Sequence, residues 1–401
     1  MENRDLKLDP GEIDQLIADR RDIHRHPELA YAENRTAEIV AGRLTGYGFD
    51  VKRAVGRTGV VGLLKRSDAD GRTLLYRADM DALPIEEEND VDYKSQNAGV
   101  MHACGHDAHV AIGLGVARRI AAERDRTMGN IKFAFQPAEE GGNGAVAMID
   151  DLVLDSPAVT GIVGLHMWNN MPTGKVGVFA GPMMAAADEF ELTIHGVGGH
   201  GAMPHQTVDA VVTAAQVVIA LQTVVSRNVS PLDSAVVTVG RLAAGSAFNV
   251  IAGSATLSGT VRTFSKETYQ AIPGMVERVI KGVTESMGAT FELNYRRMTP
   301  PLVNDPAMCE LVSECAAEVL GRENVISDNS VPTMGSEDMA YFLERAPGCY
   351  FFLGSRNEER GLIHPHHSPR FDIDENALPI GVEIMTRVIR RYLGRETVEN
   401  G

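Results

Sequence analysis

Between Asp188 and Met298 the sequence follows an order that few folds accommodate. Residues 190–194 alternate with period two, as a half-buried strand does. A long apolar helix pattern follows at 208–225, strand-like runs at 234–239 and 255–264, a second helix at 266–287 and a strand at 290–295. The order β-α-β-β-α-β is that of a ferredoxin-like unit. On both flanks, helix and strand patterns alternate differently. Helices are expected at 13–24, 36–44 and 104–122, and strands at 60–64, 73–78, 131–135 and 162–165. After Pro300-Pro301 come a helix at 308–320, a strand at 350–353 and a helix at 375–392. Such alternation calls for a partly parallel sheet covered by helices. The expected fold class is therefore α/β: a large domain from residues 1–187 and 300–401, with a ferredoxin-like (βαββαβ) domain, residues 188–299, inserted between its halves.

Charge narrows the partners. The 38 basic side chains face 54 acidic ones, a net charge of −16, which argues against nucleic acid and anionic membrane surfaces. Cys104, Cys309, Cys315 and Cys349 form no CxxC pair and no even spacing, so a reducing compartment fits better than a disulfide framework. The first five residues lack the apolar core of a signal peptide, and no apolar run reads as long enough to span a membrane. A cytoplasmic location is the expectation.

The chemistry concentrates in Met101-His102-Ala103-Cys104-Gly105-His106-Asp107-Ala108-His109. A thiol and imidazoles beside a carboxylate suit a first-row divalent metal. At a helix start, Cys104 is also expected to have a lowered pKa. Four further polar groups fall at or near strand ends or far along the chain: Asp79-Met80-Asp81, Glu139-Glu140, His166 and His364-Pro365-His366-His367. Ligands in open α/β sheets sit beyond the carboxyl ends of the strands. Each group alone has a plainer reading: first-turn acids for Glu139 and Glu140, caps or turn residues for Asp79 and Asp81, a satisfied histidine for His166, a solvated loop for His364–His367. Five such groups together point to a metal site. Paired carboxylates further suggest that one binds metal and its neighbour handles a proton. Gly196-Val197-Gly198-Gly199-His200-Gly201 formally matches GxGxxG, but Met203-Pro204-His205 follows in place of an immediate helix. A turn that presents His200 with close backbone approach fits better than a dinucleotide site.

The stretches 21–29, 77–84, 102–107, 136–140, 199–205, 248–251 and 367–372 together resemble the M20 family of metallopeptidases, in its amidohydrolase branch. That branch includes hippurate hydrolases, N-acyl-amino-acid amidohydrolases and the plant auxin-conjugate hydrolases. The resemblance spans nearly the whole chain and implies a zinc-peptidase-like catalytic domain with an inserted ferredoxin-like lid. It implies two divalent metal ions per subunit (zinc, manganese, cobalt or nickel) on Cys104, His106, Glu140, His166 and His367. Cys104 matches a bridging ligand, where other branches of the family have aspartate. Glu139 matches the general base, and Asp81 an acid that orients a ligand or the base. His200 matches a lid histidine that, in dimeric relatives, reaches the partner's active site and helps stabilise the oxyanion. Asn249 and Arg262 match positions that hold the substrate carboxylate, although Arg262 alone also reads as a surface strand residue. The implied activity is hydrolysis of N-acyl amino acids by a homodimer or higher homo-oligomer assembled through the lid. A peptidase, a deacetylase of acetylated diamino acids or another C–N hydrolase are alternatives. A non-catalytic metal-binding protein is a remote one, because storage needs ligands but no base.

Overall fold

The computed structural model describes residues 8–66, 71–126 and 128–394. The chain divides into two compact units: residues 1–181, 304–331 and 341–401 form the first, and residues 182–303 with 332–340 the second.

The first unit is built on an eight-stranded sheet. Its strands lie side by side in the order Asp50–Val55, Gly59–Leu64, Asn130–Gln136, Thr73–Asp79, Gly161–Pro172, Gly348–Arg356, Val176–Gly177 and Val325–Ile326. The four strands from Asn130–Gln136 to Gly348–Arg356 run parallel. Every residue of Thr73–Asp79 and of Asn130–Gln136 is buried. Burial on both faces explains why these strands read as continuous apolar runs. The helices His106–Ala122 and Ala377–Leu393 are buried along most of their length and share one core with Pro10–Arg25 and Asn34–Gly46. Parallel strands direct their carboxyl ends to one edge of the sheet, and the polar groups of the sequence gather there.

His166 departs from expectation. The sequence suggests a strand ending at Leu165, but the strand Gly161–Pro172 runs on, placing His166 inside it opposite Phe352. The polar pair Asn169-Asn170 ends the apolar pattern without ending the strand. Asn169 stays buried because its amide donates to the carbonyls of His364 (3.0 Å) and Asp372 (2.8 Å).

The second unit has the ferredoxin-like order. Its antiparallel sheet runs Ala235–Ala244, Ser254–Thr263, Ala186–His195, Thr290–Thr299. The helices Ala210–Thr223 and Lys266–Ser286 pack on it through Ala210, Ala214, Val217, Leu221, Ile272, Val276 and Ile280. Asp209 caps the first helix by accepting from the amides of Val211 and Val212, and Ser265 caps the second through Thr268. One correction concerns membranes. The stretch Ala210–Asn228, with a mean hydropathy of 1.5, is long and apolar enough to cross one by length and composition. Its buried residues lie in the core of this unit.

Candidate metal centre

Three of the parallel strands deliver side chains to one place. Asp79 is the last residue of its strand, with Asp81 two residues on; Glu139 and Glu140 follow Gln136; His166 projects from mid-strand. Cys104 and His106 come from the start of the helix His106–Ala122. His367 arrives from a loop in the left-handed region (φ 63°), its amide donating to the Ala103 carbonyl at 2.8 Å. A histidine held in that region is strained, as residues at working sites often are.

The donor atoms form overlapping groups, each spanning less than 4.8 Å: Cys104, His106 and His166; Cys104, Glu140 and His367; and His106, Glu139 and Glu140. Cys104 belongs to the first two. The Cys104 thiol lies 3.5 Å from Nε2 of His166, and Nε2 of His367 lies 3.1 Å from Glu140 Oε1. The backbone sets the tautomers. Nδ1 of His106 donates to the Asp81 carbonyl at 2.9 Å, and Nδ1 of His166 to the Met167 carbonyl at 2.6 Å. Both rings then aim Nε2 inward, and Nε2 of His106 is buried with no hydrogen-bond partner. A ligating imidazole is held this way, its other nitrogen donating to a carbonyl. The Glu140 carboxylate, the Cys104 thiol and the imidazoles of His106, His166 and His367 fit a pair of divalent cations.

The electrostatics agree. Burial opposes a charge on His106, yet Asp79 and Asp81 push its pKa up to about 10. The cluster thus draws in positive charge. His166 is held well below the usual imidazole range by burial and by His109 and His366, which keeps its lone pair available. Cys104 corrects an expectation. Burial, then Glu140, Glu139 and Asp79, raise its pKa well above the ordinary thiol value. It precedes the helix rather than capping it, since Gly105 takes the N-cap. The helix terminus does not set its charge here, and a thiolate at this place needs a cation beside it.

Asp81 does two jobs. Its Oδ1 accepts from the Glu139 amide (3.0 Å) and its Oδ2 from the Glu140 amide (2.9 Å), while Oδ1 lies 3.4 Å from Nδ1 of His106. Asp79 does not face the centre freely. It is held by Arg77 at 2.6 Å and by Nδ1 of His109 at 2.5 Å. Nε2 of His109 in turn accepts from the Met167 amide at 2.8 Å, fixing the backbone beside His166. His109 thus lies between Asp79 and the strand that carries His166, and with Asp79 and His106 it forms a further group of donor atoms within 4.8 Å of one another. His366 is half-buried, lies tilted against Trp168 with ring centroids 4.9 Å apart, and has its pKa pushed down to about 3 by burial and His367.

Sequence reasoning missed a buried network behind the centre. Arg20 is buried and donates to Asp107 (2.8 Å), Asp372 (2.6 Å) and Glu375 (3.3 Å). His24 bridges Asp107 (2.8 Å) and Glu87 (3.2 Å), and Tyr93 donates to Asp372 at 2.7 Å. The available signal was an arginine on the buried face of a helix, alongside Leu16, Ile23 and His24.

In the second unit, His200 pairs with Val250 in a two-stranded ribbon, which sets Asn249 beside it; the Gly201 amide donates to the Asn249 carbonyl at 2.8 Å. Nδ1 of His200 accepts from the Ala202 amide at 3.1 Å, so Nε2 carries the proton. The glycine run packs this ribbon: a Cβ on Gly196 would stand 2.2 Å from the Val208 carbonyl oxygen, and one on Gly199 would stand 2.6 Å from Thr207. Arg262, half-buried on its strand, donates to the Thr260 hydroxyl (2.8 Å) and the Val261 carbonyl (3.4 Å). Among the described residues no carboxylate forms an ion pair with it.

The sequence profile of peptidase family M20/M25/M40 matches residues 75–391. The chain belongs to this family. N-acetyl-L-cysteine deacetylase of Bacillus subtilis is 40% identical over 368 residues, covering 91% of this chain and 85% of that protein. Thermostable carboxypeptidase 2 of Saccharolobus solfataricus is 38% identical over 381 residues, covering 94% and 95%. The crystal structure of a dinuclear metal-binding M20 peptidase of Bacillus subtilis superposes with a TM-score of 0.84 at 33% identity, covering 96% of this chain and 99% of that one. The protein is a metal-dependent amidohydrolase of the M20 family, and its α/β unit with a ferredoxin-like insertion is that family's architecture.

Proposed function

We propose that this M20 protein hydrolyses the amide bond of N-acyl amino acids, releasing a carboxylate and a free amino acid. The observation that carries the reading is a second carboxylate beside a complete donor set: Glu139 stands with Glu140 and His106, while Glu140 is the one that meets Cys104 and His367. Cys104, His106, Glu140, His166 and His367 would hold two divalent cations, the Cys104 sulfur belonging to two of the donor groups. Bound there, the cation pair supplies Lewis acidity that polarises the scissile carbonyl and lowers the pKa of water. Glu139 takes the proton of the attacking water and returns it to the leaving nitrogen. Asp81 keeps that carboxylate in place through the Glu139 amide. His200, with its proton on Nε2, is assigned to donate to the oxyanion.

Asn249 and Arg262 are assigned to the free carboxylate of the substrate. Arg262→Ala is expected to raise KM for an N-acyl amino acid by about 10- to 100-fold with little change in kcat, the size of a lost charge-assisted hydrogen bond. The same variant should leave KM for the corresponding N-acyl amino acid amide, which lacks the carboxylate, nearly unchanged.

The carboxypeptidase relative supports a second reading, cleavage of peptides, since both substrate classes present an amide next to a free carboxylate. Turnover of acetyl-, benzoyl- and indoleacetyl-amino acids against dipeptides and acetylated diamino acids, on metal-loaded enzyme, separates these readings. Preference for the acyl amino acids is expected. Preference for dipeptides makes the protein a peptidase, and no turnover with both cations bound makes it a binding protein.

We also infer a homodimer assembled through the inserted unit. Val211, Val212 and Ile219 leave an apolar stripe exposed on the helix Ala210–Thr223, the last at 64% exposure. Sedimentation at micromolar concentration is expected to show a two-chain species, and a single-chain species overturns the inference.

A further inference from the structure

Glu33 is fully buried, and its carboxylate gathers three donors. Oε1 accepts from the amides of Ala138 (2.8 Å) and Tyr31 (3.0 Å), and Oε2 accepts from the Thr58 hydroxyl (2.5 Å). Burial pushes its pKa up, with Asp81 adding to the rise, while the Thr58 hydroxyl and the Ala138 amide oppose it. Glu33 occupies the N-cap position of the helix Asn34–Gly46, where a side chain would ordinarily bond to the first-turn amides. It makes no such bond. Its hydrogen-bonding capacity goes instead to a turn more than one hundred residues away in the chain.

That turn carries Glu139. Ala138, immediately before it, is fully buried with φ at 52°, a conformation that alanine adopts only where its surroundings hold it. The next two amides, of Glu139 and Glu140, donate to Asp81. Three consecutive amides thus end on two buried carboxylates. The far side of the turn is tied down as well: the Tyr31 hydroxyl donates to the Gly142 carbonyl at 2.6 Å, and the Gly144 amide to the Ala138 carbonyl at 3.1 Å. A Cβ on Gly144 would stand 1.6 Å from the Pro137 carbonyl oxygen, so the turn closes only with glycine there.

We propose that Glu33 is a positioning residue for Glu139: by holding the Ala138 amide in the left-handed region, it fixes where the neighbouring carboxylate stands. The proposal rests on the reading of Glu139 as the base. Asp81 alone cannot do this work, because it grips the amides of Glu139 and Glu140 but leaves the torsion of Ala138 to be set from the other side. Glu33 touches neither substrate nor cation in this scheme and acts through the backbone.

The test uses the metal-loaded enzyme and four variants: Glu33→Ala, Glu33→Gln, Glu139→Gln and the double variant Glu33→Ala/Glu139→Gln. A displaced catalytic group costs on the order of 10²-fold in rate, so Glu33→Ala is expected to lower kcat by about that factor. KM should stay within about 3-fold and both cations should stay bound, because the ligands are untouched. Glu33→Gln keeps an oxygen that accepts from Ala138 and should recover kcat to within about 5-fold of the parent. In the Glu139→Gln background, Glu33→Ala should add less than about a 3-fold further loss, since residues acting as a unit are non-additive. If Glu33→Ala does not fold, Thr58→Val, which removes one donor to the same carboxylate, takes its place with a smaller kcat loss and the same non-additivity. Unchanged kcat in the Glu33 variant, or losses that multiply in the double variant, overturns the role of Glu33. Full activity in Glu139→Gln overturns instead the reading of Glu139 on which it rests.

Discussion

Glu139→Gln is expected to keep both cations bound and to lower kcat by about 10²- to 10⁴-fold, the range that removal of a general base covers. The two side chains have the same shape. The amide of residue 139 still donates to Asp81, and Ala138 is still held by Glu33, so the carboxamide should stand where the carboxylate stood. What is lost is the capacity to accept a proton from water and to return it to the leaving nitrogen. KM should change little, because Glu139 is assigned no share of ground-state binding. Metal analysis decides between roles. A kcat loss with cations retained supports a base; a loss of one cation makes Glu139 a ligand; kcat within about 3-fold of the parent removes it from the mechanism.

The second large effect is expected at Cys104. Its sulfur belongs both to the group with His106 and His166 and to the group with Glu140 and His367, so one truncation disconnects both. Cys104→Ala should bind neither cation at stoichiometric concentration and should lose activity by more than about 10²-fold, since even outer-shell partners of a metal site are worth 10- to 100-fold. Cys104→Asp restores an anionic ligand able to bridge and should recover cation binding and part of the activity. Binding of two cations by Cys104→Ala, measured by elemental analysis after dialysis, would exclude the shared-ligand role.

The βαββαβ insertion was legible because its periodicities are long and one-sided: Ile272, Val276 and Ile280 mark every fourth residue of a helix, and the 190–194 alternation marks a strand. The two-residue strands Val176–Gly177 and Val325–Ile326 were not, since a period needs more than two residues to show. His106, His166, Glu140 and His367 could be named because motif context singles them out. Their surroundings could not. His109 meets Asp79 across 30 residues, Arg20 meets Asp372 across 352, and Glu33 meets Ala138 across 105. No local pattern encodes such partners. Glu33 was hidden further by sitting at a helix start, where a carboxylate has an ordinary explanation. Cys104 shows the same limit: proximity to a helix start suggested a lowered pKa, whereas burial and three nearby carboxylates raise it.

Diffraction at the metal absorption edge, on crystals of the protein loaded with manganese or zinc, tests the central claim most directly. Two anomalous peaks are expected about 3.5–4 Å apart. The sulfur of Cys104 should lie between them, with His106, Glu140, His166 and His367 completing the ligands and Glu139 bound to neither ion. A single peak, or peaks centred on Asp79 and His109 away from Cys104, would contradict it.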